Sequence, residues 1–166
     1  GLVLDRNFNV VARPFKKFFE WRQLLPELQS YLLSIRPKLS VRSYEKIDGT
    51  LILLFNYQGR WILTTRRRFD LIQSHHARIL FNRQLSRPLS ALDPNLTYLF
   101  ESTVHYDYNV IAYPIEQLVL VCAVRTASVE TYFPERLQCS FESAIRITEP
   151  NLDIKPSSNG KEGQVL

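Results

Sequence analysis

The sequence predicts an α+β domain, antiparallel β-sheets with flanking helices outside. Three observations carry this. Short runs rich in Val, Ile, Leu, Tyr and Phe recur along the chain, most of them joined by turn residues into hairpins. Few segments have helical spacing, and no regular strand–helix–strand alternation, the mark of a parallel sheet, is present. The 166 residues are 45% hydrophobic, enough for one domain with a core of its own.

Leu2 to Leu4 and Asn9 to Ala12 are expected as short strands around the turn Asp5-Arg6-Asn7. The next stretch, Ala12 to Glu20, interleaves Arg13, Lys16 and Lys17 with Phe15, Phe18 and Phe19. Either the aromatics are core with the lysines opposite, or Arg13 or a lysine meets phosphate. Pro26 to Ile35 reads as a helix with a stripe of Leu28, Leu32 and Ile35, closed by Pro37. Val41–Lys46, Thr50–Tyr57 and Trp61–Thr65 follow as a three-strand run whose second turn is Gln58-Gly59. Asp70 is placed to cap a helix from Leu71 to Leu85, with Ile72, His76, Ile79 and Leu80 on one face.

After punctuation at Pro88 and Asp93-Pro94-Asn95, Thr97–Thr103 and Asn109–Tyr113 are expected to pair, with Leu118–Val124 as a further buried strand. Glu101 interrupts the apolar Tyr98-Leu99-Phe100, either as an exposed alternate position or as an acceptor aimed into a pocket. Phe141–Ile147 reads as helical, Pro150–Gly160 as a surface loop, and Lys161–Leu166 as the start of a strand that the chain does not finish.

No apolar run approaches the ~20 residues that cross a membrane. No basic-then-apolar leader is present, so a soluble, intracellular (cytoplasmic) protein is expected. Gly1 at the start and the lack of any methionine suggest a segment of something longer. Cys122 and Cys139 make neither a disulfide framework nor a zinc site. His75 and His76 are adjacent and cannot share a metal at helical spacing, and His105 has no second ligand nearby. The net charge of +5 is gathered at Arg13, Lys16, Lys17 and at Arg66-Arg67-Arg68. Such clusters are either a solvated face or the footprint of a phosphate-rich partner.

The chain is organised around Tyr44-Glu45-Lys46-Ile47-Asp48-Gly49-Thr50. Asp-Gly signals a turn, and Leu51-Ile52-Leu53-Leu54-Phe55 reads as a strand buried on both faces. Lys46 thus stands at the mouth of a buried strand. A cation there either snorkels from a surface hairpin, or is meant to lose its proton or to meet an anion.

Five segments in order resemble the phage-type ATP-dependent RNA ligases, within the covalent lysine nucleotidyltransferase superfamily. These are Arg13-Pro14-Phe15-Lys16-Lys17-Phe18-Phe19, Lys46-Ile47-Asp48-Gly49-Thr50, Phe100-Glu101 with Val110-Ile111-Ala112-Tyr113, Leu118 to Arg125, and Glu162-Gly163-Gln164-Val165. Together they span nearly the whole chain, so one adenylyltransferase domain over 1–166 is implied, truncated at its C-terminal end. The implied fold is a nucleotidyltransferase, ATP-grasp-like ligase fold whose sheets enclose a nucleotide-binding cleft.

The resemblance implies Lys46 as the nucleophile on ATP and Glu101 as acceptor for the ribose hydroxyl. It implies phosphate or nucleotide contacts from Arg13, Lys17, Gly49 and Arg66, and Mg2+ held by Asp48 and Glu162, directly or through water. Glu45 would accept from adenine's amino group, where guanine offers a repelled oxygen. The implied partner is RNA with 5′-phosphate and 3′-hydroxyl ends, with no membrane.

Two departures stand out. Thr65-Arg66-Arg67 replaces the family's Ser-Lys-Gly, and a guanidinium fork is not a lysine's point charge. The family's final lysine pair lies beyond Val165, so a chain ending there is expected to adenylylate poorly. A nucleic-acid-binding module that no longer adenylylates, and a related enzyme of RNA capping or DNA sealing, are the competing readings.

Overall fold

The computed structural model describes residues 1–38, 42–84, 89–106, 111–137, 146–147 and 164–165. Its centre is a five-stranded antiparallel sheet in the order β5-β4-β6-β7-β8, made of Arg60–Thr65, Thr50–Tyr57, Leu96–Thr103, Gln117–Arg125 and Thr131–Tyr132. A ribbon of β1 (Val3–Leu4) and β2 (Val10–Ala12) lies beside it. A second sheet places β3 (Ser43–Glu45) between β9 (Arg146–Ile147) and β10 (Gln164–Val165). The helices are α1 (Pro26–Ile35) and α2 (Ile72–Gln84). The α+β class and the antiparallel pairing agree with the sequence.

The period-2 alternation of the strands sorts the core into two layers. On one face Ile52, Leu54, Leu63, Tyr98, Phe100, Leu118 and Leu120 pack against Ala77, Leu80 and Phe81 of α2. On the other, Leu53, Phe55, Leu99, Cys122 and Val124 pack with Ala12, while Val3, Val11 and Phe15 cover them. Both faces of β4 and β6 are therefore apolar, which is why Leu51–Phe55 reads as an unbroken hydrophobic run. Burial pushes the Cys122 thiol up to about 12, as expected of an inert core cysteine. Cys139 lies outside the described residues.

Local signals placed several elements closely. Gln58 and Gly59 both have positive φ, 51° and 78°, the geometry of a tight hairpin between β4 and β5, and Asn56 Oδ1 accepts the Gly59 N–H (3.1 Å). The Asp5 carboxylate likewise closes the β1–β2 turn by accepting from the N–H groups of Asn7 and Asn9.

Long-range packing overrode other expectations. β3 does not join β4 and β5 in one sheet, because the chain crosses between two sheets at Asp48-Gly49 instead of turning back as a hairpin. Ile111–Tyr113 is not a strand; its polar groups are spent on Asp48, as described below. Residues 109–110 lie outside the described residues. Arg146–Ile147 pair with β3 as a strand rather than a helix, with 141–145 outside the described residues.

α2 buries Ser74, Ala77, Leu80 and Phe81, whereas Ile72 and Ile79 are 65% and 49% exposed. Small side chains at positions 74 and 77 let the helix approach the sheet, and that decides the buried face over apolarity. Asp70 does not cap the helix but takes the Arg68 guanidinium through both oxygens (3.1 and 3.0 Å). α1 has the predicted bounds but no buried residue; Leu32 and Ile35 are half-buried and Leu28 is exposed. No described helix is long and apolar enough to cross a membrane.

The β6–β7 connection is anchored by Glu116, which accepts the His105 N–H (3.1 Å) and meets His76 Nε2 (3.3 Å). The His105 N–H first, then the nearby His76 and His105, hold the Glu116 carboxyl below its usual range. A lowered folded value means stability that is present above the unfolded carboxylate pKa, 4.5, and lost as pH falls through the folded one. The urea midpoint is therefore expected to fall below pH 4.5, and Glu116→Gln to reduce that fall slightly, since the pair is solvent-screened. An identical pH profile in the variant would remove Glu116 from this role.

Candidate functional site

Gly49 carries the chain from one sheet to the other. A Cβ there would collide with the Ser102 carbonyl oxygen and stand 2.9 Å from the carbonyl carbon and 3.3 Å from Glu101 Cγ. Only glycine lets the chain pass this close to the β6 backbone. Because of that crossing, the Lys46–Gly49 bend lies next to Glu101. Thr50 pairs with Ser102 and Leu51 with Glu101, so β4 starts in fixed register against the acid.

The bend is locked from a second side. The Asp48 N–H donates to Tyr113 Oη (3.1 Å), and the Ile111 N–H donates to Asp48 Oδ2 (2.7 Å). Asp48 is 3% exposed. A buried carboxylate paired with backbone N–H groups makes a rigid corner. Sequence reading singled out Ile111 and Tyr113 as strand residues and as part of a resembling segment; this two-way bond to Asp48 was not visible in it.

On the other side of Lys46, Tyr44 stacks on Phe133 (centroids 4.7 Å apart, 7° between planes) and donates to Glu135 Oε1 (2.7 Å). Arg42 Nη1 meets the same oxygen at 3.1 Å. Burial, and then the Glu135 hydrogen bond, raise the Tyr44 phenol above its ordinary value, which keeps it a donor. Half-buried Lys46 is thus carried on a bend pinned at Tyr44 before it and at Asp48-Gly49 after it. Phe133 and Glu135 had no signal in the sequence, because nothing local links them to residue 44.

The expected site residues divide by position. Gly49 lies against Glu101 at the start of β4, with Asp48 next to it and Lys46 three residues earlier on the same bend. Arg66 follows Thr65, which pairs with Ile52, so it leaves β5 at this same end of the sheet and is exposed. Its turn is stiffened by Thr64 and Thr65, whose hydroxyls donate to the Arg68 carbonyl (2.8 and 2.9 Å). Thr65 Oγ1 also accepts from the N–H groups of Arg67 and Arg68. Glu45 pairs with Gln164 across β3 and β10, which brings β10 beside the strand that leads into Lys46. Glu162 lies outside the described residues.

Arg13 is elsewhere. Its N–H donates to Thr97 Oγ1 (3.3 Å), five residues along β6 from Ser102, about 17 Å at the usual strand rise. Lys17 sits over the Phe19 ring at 4.9 Å, on the exposed strap that follows Arg13.

The comparisons with known proteins point one way. The chain is similar to RNA ligases. It is 27% identical over 151 residues to a protein of Autographa californica nuclear polyhedrosis virus, provisionally named as a bifunctional polynucleotide kinase/RNA ligase, covering 80% of this chain and 22% of that protein. It is also 27% identical over 175 aligned positions to an RNA ligase of Rhodothermus phage RM378, covering 86% of this chain and 39% of that protein. The chain therefore spans between about a fifth and two-fifths of the curated relatives it matches. No family model matches.

Asp48 bears on the metal expected from the family resemblance. Its Oδ2 already serves the Ile111 N–H, and among the described residues no cluster of three or more His, Cys, Asp or Glu is placed to hold an ion. The Asp48 carboxylate keeps further lone pairs beside that bond, and one or two carboxylates with waters and phosphate oxygens are the usual protein share of a magnesium site.

Proposed function

We infer that this chain carries the adenylylating centre of an ATP-dependent RNA ligase, with Lys46 as nucleophile. The observation behind this is the Gly49 crossing, which sets a lysine on a rigid bend beside a half-buried carboxylate, Glu101, in a chain similar to RNA ligases. The neutral Lys46 amine attacks the α-phosphorus of ATP. The N–P bond forms as the bond to the bridging oxygen breaks, pyrophosphate leaves with that electron pair, and the nitrogen gives up one proton to solvent. An RNA 5′-phosphate oxygen then takes AMP from the lysine, returning the amine. A 3′-hydroxyl attacks that 5′-phosphate, loses its proton, and expels AMP to seal the strand.

Each neighbour has a part. Glu101 accepts from the ribose hydroxyl, and Arg66, on its stiffened turn, neutralises phosphate charge as it moves. Glu45 accepts from the adenine amino group. Magnesium is expected to accompany the nucleotide, with Asp48 and Glu162 as the acidic candidates to meet it, directly or through water.

The deciding experiment is intact-mass measurement of the full-length protein after incubation with ATP and magnesium, followed by sealing of nicked RNA and nicked DNA. A gain of one AMP with RNA sealing supports the reading. No adduct points to a binding module, and an adduct from GTP points to a capping enzyme.

Glu101 has its own test. Glu101→Ala is expected to leave the melting temperature nearly unchanged and cut adenylylation about tenfold or more, the scale of one charged hydrogen bond. Unfolding with full activity per folded molecule would make Glu101 a structural residue.

A further inference from the structure

At the end of the five-stranded sheet away from Gly49, an open groove of about 660 Å³ is lined by Asn56, Tyr57, Asn95, Arg125 and Thr126, with Arg13 in its wall. Lys46, Glu101 and Arg66 are not among its lining residues. Thr97 holds the Arg13 backbone through its hydroxyl, which in turn lies 3.2 Å from the Thr126 hydroxyl. Arg13 Nε is buried and has no hydrogen-bond partner. A buried guanidinium N–H without an acceptor is costly and rare in native structures, and a small turn of the half-buried Arg13 side chain toward the groove would bring it to an acceptor carried by a ligand.

The rest of the groove is settled. Arg125 donates Nε and Nη2 to Tyr132 Oη (3.1 and 3.0 Å), which fixes a second guanidinium in the wall. The groove's acid, Asp5, is occupied by its own turn, accepting from the Asn7 and Asn9 N–H groups and from Asn9 Nδ2. The acceptor that suits Arg13 is anionic and offers paired oxygens, which is the geometry of a phosphate. Tyr57, half-buried against the Leu53 and Phe55 core layer, lines the groove and is an aromatic side chain of the kind on which single-stranded bases stack.

We propose that this groove binds a phosphodiester of single-stranded RNA, with Arg13 as its anchor, several nucleotides away from the end held at Lys46. The proposal rests on the ligase reading above and extends it to a second point of contact with the substrate.

The test is fluorescence anisotropy of the full-length protein with a single-stranded oligoribonucleotide of about 12 nucleotides, within the usual site size. The probe carries a 5′-hydroxyl and a blocked 3′ end, so no joining step intervenes. Arg13→Gln is expected to weaken binding about tenfold and to lower the log–log salt slope by ~0.7, one phosphate on a single strand. Ala127→Glu, at an exposed rim residue, puts a carboxylate where the phosphate would lie. It should weaken RNA binding to a similar degree and leave the AMP adduct unchanged. Parental affinity and slope in both variants would overturn the proposal. So would loss of inorganic phosphate binding with RNA binding intact, since the groove would then serve a free anion. Weakened RNA binding in both variants without any adduct in the parent would keep the groove and refute the ligase reading; an adduct with unaltered RNA binding would do the reverse.

Discussion

Lys46→Ala is expected to abolish the AMP adduct, a loss on the order of 10⁶ in rate, the scale on which a covalent nucleophile's removal is felt. The adduct in the parent should be acid-labile and alkali-stable, as a phosphoramidate is and an acyl phosphate is not. Because Lys46 is half-buried on a bend pinned by Tyr44 and Asp48, its truncation removes no large core contact, and the melting temperature should change little. Lys46→Arg separates charge from chemistry: it keeps the cation but has no lone pair to give, so it too should be inactive. Pre-adenylylated RNA bypasses the first step, and sealing of it by Lys46→Ala should persist. An undiminished adduct in Lys46→Ala would move the nucleophile to another residue.

Gly49→Ala should have the second largest effect, and it combines stability with chemistry. The added methyl meets the backbone carbonyl of Ser102, which cannot swing aside as a side chain would. Overpacking of this kind costs about 1–3 kcal/mol. In a domain of this size that corresponds to a fall of about 3–10 °C in melting temperature. The bend must move off β6 to relieve the clash, carrying Lys46 away from Glu101, and a misplacement near 1 Å costs on the order of 10²-fold. Gly59→Ala is the control. Its Cβ would meet nothing within 4 Å, and only the positive φ of 78° is strained. That variant should lose a little stability and keep its activity per folded molecule. Equal adenylylation by the Gly49 and Gly59 variants would show that the close crossing does not position Lys46.

Much of the candidate site was legible because it is local in the chain. Lys46, Asp48 and Gly49 fall within four residues, and their spacing against a buried run marked them before any fold was known. Glu101 stood out for a similar reason, a carboxylate inside Tyr98-Leu99-Phe100. What brings Glu101 to Gly49 is a pairing of strands about fifty residues apart, Thr50 with Ser102, which no local pattern encodes. The same holds for Tyr113 and Ile111 on Asp48 and for Phe133 under Tyr44. Arg13 shows the converse: its sequence context pointed to phosphate, but only the fold placed it beside Thr97, at the other end of β6.

By itself the sequence determined the α+β class, the β4–β5 hairpin and the bounds of α1, and it singled out Tyr44–Thr50 as the candidate stretch. Each follows from turn chemistry or hydrophobic period within some ten residues, where the chain has few alternatives. The tertiary structure alone decided that β3 leaves β4 for a second sheet, that Ile111–Tyr113 braces Asp48, and that α2 buries Ser74 and Ala77 rather than Ile72 and Ile79. These choices turn on which distant backbone groups must be satisfied and which side chains are small enough to let two layers meet. Such competition is resolved over the whole domain, and no short window of sequence contains it.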